Sequence, residues 1–139
     1  MSGLMLRVEG KPSRKVQRSA APDALARRAS DTSGWYCCAR CAGRLAHETW
    51  VLASNAERPL VFANPMGSAF ELILVSKVVG VAFEPHATLE HTWFQGYAWR
   101  IGWCERCGGH VGWHFGASPG RQGDFVGLSR AALKFMNGS

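Results

Sequence analysis

No stretch of this chain is apolar for long enough to cross a membrane as a helix. The longest apolar run, Ala69 to Phe83, is broken by Glu71, Ser76 and Lys77, whereas a spanning helix needs about 20 largely apolar residues. The N-terminal stretch also lacks the apolar core of a secretory signal. Repeats of solenoid period are absent too, which excludes a stacked array. After the first residues there is little excess of either charge: from residue 35 onward nine basic side chains face seven acidic ones. That balance disfavours a nucleic-acid-binding domain.

Basic charge is concentrated at the start. Residues 1–34 carry Arg7, Lys11, Arg14, Lys15, Arg18, Arg27 and Arg28 against Glu9, Asp23 and Asp31, a net of +4 out of +6 for the whole chain. With so few apolar residues, this composition reads as a solvated, mobile arm over residues 1–33. A single domain over residues 34–139 follows. The hydrophobic fraction of 47% and the six tryptophans suit a modest globular core.

Five cysteines are present, and four fall into two pairs, Cys38-x2-Cys41 and Cys104-x2-Cys107. A C-x2-C turn lets two thiolates converge on one metal ion, and two such turns complete a tetrahedral four-thiolate zinc site. Buried free thiols or a redox pair are the competing readings, but two equally spaced pairs favour structural zinc. Sixty-two residues lie between Cys41 and Cys104, so the metal would join hairpins distant in sequence. All four ligands come from the protein, which leaves no position for an activated water. Cys37 would give its pair three intervening residues instead of two, so Cys38 is the ligand and Cys37 a small buried residue. Thiolate ligands and the missing secretion signal place the protein in a reducing cytoplasm.

From Trp35 onward the chain reads as strands and turns. Trp50–Leu52, Leu60–Phe62 and Phe70–Val75 are short runs of β-branched and aromatic residues. Asn55, Pro59, Asn64-Pro65 and Gly67 punctuate them. The expected fold class is all-β. Ser129–Phe135 suits either a short helical turn or a terminal strand.

A hairpin loop at Gln95–Tyr97 would set Phe94 opposite Ala98 and Trp93 opposite Trp99, so that both indoles share a face. Alternation along His110–Phe115 places Val111, Trp113 and Phe115 on one face and His110 and His114 on the other. Aromatic clusters usually form core. Gly96, Gly102 and Gly112, however, would leave room beside the rings for a guest. A box of indole faces suits a flat or cationic ligand.

The string His91-x-Trp93-Phe94-x-Gly96-Tyr97-x-Trp99, with Cys104-x2-Cys107 and Gly112-Trp113-x-Phe115, resembles the CULT domain of cereblon, the thalidomide-binding domain, and its single-domain bacterial relatives. Cys37-Cys38-x2-Cys41, Asn64-Pro65 and Phe125-x-Gly127-Leu128 agree in order, so the resemblance covers about Trp35 to Leu133. It implies two antiparallel sheets joined at a four-cysteine zinc site, a β-tent shared with methionine sulfoxide reductase B. It also implies a cage of Trp93, Trp99 and Trp113 with Phe115 at its base. Backbone groups of His91 and Trp93 would bind a cyclic imide, and Asn64 would sit beside the pocket. The implied guests are glutarimides such as thalidomide, uracil or uridine, and protein C-termini bearing cyclic imides. Gln95 replaces a proline usual in animal sequences and removes no wall.

The resemblance therefore implies a non-enzymatic binding module. A sulfoxide reductase would share the architecture but needs a nucleophilic cysteine outside the metal site, and only Cys37 remains. A zinc-ribbon nucleic-acid binder is favoured by the arm and disfavoured by the nearly neutral domain. No counterpart of a ubiquitin-ligase adaptor-binding region is recognised in this sequence.

Overall fold

Short runs of β-branched and aromatic residues separated by turn formers can pair only as brief antiparallel strands, and the regular elements are strands joined by turns. The computed structural model describes residues 34–55, 59–119 and 123–137; the basic arm expected over residues 1–33 lies outside them. The strands are β1 (Gly34–Cys38), β2 (Arg44–His47), β3 (Leu60–Ala63), β4 (Ala69–Val75) and β5 (Val81–Phe83). They are followed by β6 (Tyr97–Cys104), β7 (His110–Ala117), β8 (Phe125–Ser129) and β9 (Leu133–Asn137). Three-residue 3-10 turns at Glu48–Trp50, Ala53–Asn55 and Arg130–Ala132 are the helical elements among the described residues.

Two antiparallel sheets result, one of three strands in the order β2-β1-β9 and one of six in the order β3-β4-β8-β7-β6-β5. The all-β class and the two-sheet architecture are as the sequence led one to expect. The chain changes sheet at the 3-10 turn Arg130–Ala132, so the helical turn and the terminal strand expected as alternatives both occur in succession.

The apolar run of β4 is buried on both faces. Leu72 and Leu74 pack with Phe62, Phe94, Tyr97, Phe115 and Phe125, while Ile73 and Val75 join Val126 and Leu128 against Cys38, Leu45 and Ala46 of the smaller sheet. Each such side chain contributes about 1.5–3 kcal/mol on burial. A strand covered on both sides loses polar alternation, which is why this run is continuous in the sequence.

Three local expectations are corrected. Trp50–Leu52 is not a strand: Trp50 ends a 3-10 turn, and Val51 makes an isolated bridge to Val75. Beyond it the Asn55 amide stands in for a strand, accepting from Leu74 N–H at 2.6 Å and donating to Leu72 C=O at 3.1 Å. Trp93 and Trp99 are not hairpin partners either. Trp99 pairs with Thr88, and Phe94 C=O accepts from Tyr97 N–H to close a turn around Gly96, whose φ is +89°.

The glycines behave differently too. Gly102 accommodates the ring of Phe83, and Gly112 lets β7 approach the backbone of β8; neither opens space beside an indole. A Cβ at Gly112 would collide with the Gly127 carbonyl oxygen, whereas one at Gly116 would meet His114 at an ordinary 3.4 Å. Gly112→Ala is therefore expected to cost about 3 kcal/mol or more of unfolding free energy, against roughly zero for Gly116→Ala. Chemical denaturation of both variants measures the contrast.

Candidate functional site

The first site forms where two hairpin turns meet. The β1–β2 turn carries Cys38 and Cys41, and the β6–β7 turn carries Cys104 and Cys107; the four Sγ atoms lie within 4.8 Å of one another. Cys38 to Cys107 and Cys41 to Cys104 are each 3.6 Å. A tetrahedral ion with bonds of about 2.3 Å to sulfur would need edges of about 3.8 Å, so this soft donor set fits such a metal ion with little movement.

The two turns are built alike. Cys38 N–H donates to Gly43 C=O and Ala42 N–H to Cys38 C=O, and Cys104 with Gly109 and Gly108 repeats both bonds, all at 2.8 Å. Both turns need a left-handed residue after the second cysteine, Ala42 at φ +64° and Gly108 at +79°. Each also lays its arginine across the other: Arg106 covers Gly43, and Arg40 covers Gly109.

Burial raises the Cys38 thiol, but backbone N–H groups of Cys41 and Arg40 and the neighbouring thiols outweigh it and bring it down to about 7. Donors that stabilise thiolate also suit a metal ligand. Cys37 stands apart. Its Sγ faces Trp35 C=O at 3.7 Å, and burial raises its thiol against the pull of Arg44 and Lys134.

The second site is a cavity of about 410 Å³, within the usual range of small-molecule pockets of about 300–1,000 Å³. All six residues singled out for ligand binding, Asn64, His91, Trp93, Trp99, Trp113 and Phe115, line it. Trp93 and Trp113 meet edge to face at 4.9 Å and 70°, while Phe115 is fully buried below. Two walls are pinned by backbone acceptors: Trp93 Nε1–H donates to Ala63 C=O at 2.9 Å, and Trp99 Nε1–H to Glu90 C=O at 2.8 Å. Neither indole N–H is left over for a guest.

Asn64 shapes the rim. Its Oδ1 accepts from the N–H groups of Met66 at 3.0 Å and Ser68 at 2.9 Å, closing the β3–β4 turn whose Asn64, Pro65 and Met66 line the cavity. His91 adopts φ +57°, a left-handed conformation that costs a non-glycine residue about 1 kcal/mol. The backbone N–H and C=O groups of His91 and Trp93 form no hydrogen bond among the described residues. That leaves a polar backbone edge beside an aromatic wall.

Sequence reasoning missed Phe70, Ile101 and His110 as lining residues. Phe70 meets Trp113 edge to face at 5.0 Å; its apolar strand context marked it as core, with nothing to separate core from wall. His110 was expected on the face opposite Trp113, yet its ring lies 4.7 Å from that indole. Val111, expected beside Trp113, packs instead with the cysteine-side cluster. The cause is a register shift at Gly102/Trp103, which breaks alternation at this end of β7. His114 does sit away from the cavity, against Phe83 and 3.4 Å from Asp124.

Because Ala42 and Gly108 occupy equivalent left-handed positions, substitutions there should have opposite effects. Ala42→Gly is expected to stabilise the fold by about 0.5–1 kcal/mol, and Gly108→Ala, which meets no atom within 4 Å, to cost about 1 kcal/mol from backbone strain alone. Thermal and chemical unfolding of the two variants checks both signs.

No protein-family model matches the chain. It is 40% identical to protein cereblon of Gallus gallus over 77 residues, covering 52% of this chain and 17% of that protein. Over 104 residues it is 33% identical to protein cereblon of Danio rerio, covering 70% and 23%, and over 78 residues 37% identical to that of Xenopus tropicalis, covering 52% and 17%. The chain thus spans about a fifth of the length of these relatives. With its two antiparallel sheets, its paired cysteine turns and its tryptophan-lined cavity, the chain is similar to part of the cereblon proteins and fits a CULT-like domain of that family.

Proposed function

We propose that this chain is a non-enzymatic binding module that takes a cyclic imide into the cavity walled by Trp93, Trp99 and Trp113. The observation that carries this reading is the pairing of an apolar aromatic box with the unengaged backbone edge of His91 and Trp93. A cyclic imide presents C=O, N–H and C=O along one edge and CH2 groups along the other. The backbone edge can pair the first while the rings enclose the second. Carboxylate, lysine and arginine side chains are all missing from the cavity lining, so a neutral guest fits better than an ion. Glutarimides of the thalidomide type, uracil or uridine, and protein C-termini ending in a cyclic imide all present such an edge.

Zinc at Cys38, Cys41, Cys104 and Cys107 would be structural: four protein thiolates close the coordination shell, so no water is activated. Those cysteines would hold the two sheets in register and do no chemistry on the guest. A sulfoxide-reductase reading is disfavoured because Cys37 does not line the cavity and burial keeps its thiol protonated. A thiolate site of this kind favours a reducing, cytoplasmic setting.

Zinc content tests the metal assignment directly. The purified protein should hold about one zinc per chain, and Cys104→Ser should lose both the metal and cooperative unfolding. An unchanged metal content in that variant would refute the ligand set.

Binding is tested by indole fluorescence with thalidomide, which should quench the wild-type signal. N-methylation of the imide should abolish the response, since it removes the N–H and leaves the backbone acceptor desolvated. Trp99→Ala should weaken binding roughly 30- to 1000-fold, the effect of about 2–4 kcal/mol expected for a central aromatic contact, with zinc retained. If thalidomide leaves the signal unchanged while Trp99→Ala merely unfolds the protein, the tryptophans are core.

A further inference from the structure

We propose that His110 is an additional ligand-contact residue of the same cavity, whose ring nitrogen Nδ1 accepts a hydrogen bond from a second donor on the guest, beyond the imide N–H. This rests on the imide reading above and deepens it: among cyclic imides, those that carry a further N–H or O–H group gain an extra contact.

His110 is placed for such a contact. It lines the cavity, with its ring edge-to-face against Trp113 at 4.7 Å and 88° and inclined to Trp103 at 5.5 Å. Its Nε2 lies 3.2 Å from Gly112 C=O. A carbonyl can only accept, so this contact puts the proton on Nε2 and leaves Nδ1 as a lone-pair acceptor. Nδ1 has no partner among the described residues. Asn64 Oδ1 is committed to two backbone N–H groups and the indoles of Trp93 and Trp99 to backbone carbonyls, and the Trp113 indole N–H, which has no partner among the described residues, can only donate. His91 is exposed to solvent at the rim.

The surroundings keep this ring neutral. Burial lowers its affinity for a proton, only partly offset by the Gly112 carbonyl, and no charged side chain contributes. On the neighbouring strand, Trp103 holds the Glu84 carboxylate through its indole N–H at 2.8 Å, and His91 lines the same cavity. A half-buried acceptor in an aromatic wall discriminates sharply, because a guest that fills the space without a donor leaves it unpaired.

Glutarimide and dihydrouracil make a matched pair of probes, since dihydrouracil replaces one ring CH2 of glutarimide by N–H and keeps the imide edge. Binding to the full zinc-loaded chain is followed by NMR, reading the indole resonances for occupancy and the His110 ring for contact. Dihydrouracil should shift the His110 ring and lower the pH at which it titrates, and glutarimide should do neither. His110→Phe should weaken dihydrouracil roughly 3- to 10-fold relative to glutarimide, as expected for one hydrogen bond. In the wild type that relative preference should fade as the pH drops through the His110 titration, because protonation removes the acceptor.

If both probes shift the indoles while the His110 ring ignores dihydrouracil, His110 is not a contact and this proposal fails with the cage reading intact. It fails equally if His110→Phe leaves the ratio of affinities unchanged. If neither probe moves the indole resonances, the imide reading fails and takes this one with it. Should His110→Phe not fold, the wild-type ring titration decides alone.

Discussion

Convergence of four thiols from two hairpins is the constraint on which the rest of this molecule depends. The small sheet has three short strands, and an isolated sheet of that size buries too little apolar surface to stand alone. It is held to the six-stranded sheet at the cysteine turns and through the packing of Leu45 and Ala46 against Val126 and Leu128. Closing a loop between residues as distant as Cys41 and Cys104 is entropically costly, and each further doubling of its length adds only about 0.6 kcal/mol. A metal that binds the folded site and not the open chain offsets that cost. The arginines belong to the same device: Arg40 and Arg106 each cross to the opposite turn, bringing positive charge beside a thiolate set that stays negative overall when a divalent ion is bound.

The cavity stands on this frame. His110 opens β7 three residues after Cys107, and Trp103 immediately precedes Cys104, so the cysteine turn sets where one wall of the cavity begins. Trp93 comes from the loop before β6 and Trp99 from β6 itself, and a single hydrogen bond fixes each indole, Trp93 to Ala63 and Trp99 to Glu90. Using two of the indole donors to position the rings leaves the cavity surface largely apolar, with polarity at the His91–Trp93 backbone, the Asn64 turn, the Trp113 indole and His110. Such a site selects by what each polar group demands of a guest more than by area.

The segments that border the cavity include some of the least regular in the fold. His91 holds a left-handed backbone, and Asn64 folds its turn with its own side chain. Backbone groups freed from sheet pairing become available to other partners, and those of His91 and Trp93 belong to residues that line the cavity.

Much of this was legible in the sequence because its signals are local. The C-x2-C spacing fixes a turn geometry by itself, and Cys38 could be preferred over Cys37 from spacing alone. Continuous runs such as Phe70–Val75 announced buried strands, and the order of Trp93, Trp99, Trp113 and Phe115 matched a pattern that names the cavity walls. Tertiary structure decided what depends on register and on which loop meets which strand. Alternation assumes unbroken pairing, so one register shift at Gly102/Trp103 carried His110 into the cavity and Val111 out of Trp113's company. Pairing of Trp99 with Thr88 instead of Trp93, and of Gly112 with the β8 backbone instead of a guest, likewise depended on which segments meet in the folded chain. A sequence specifies which groups each residue can offer; only the folded chain determines which of them find partners within the protein and which are left for a ligand.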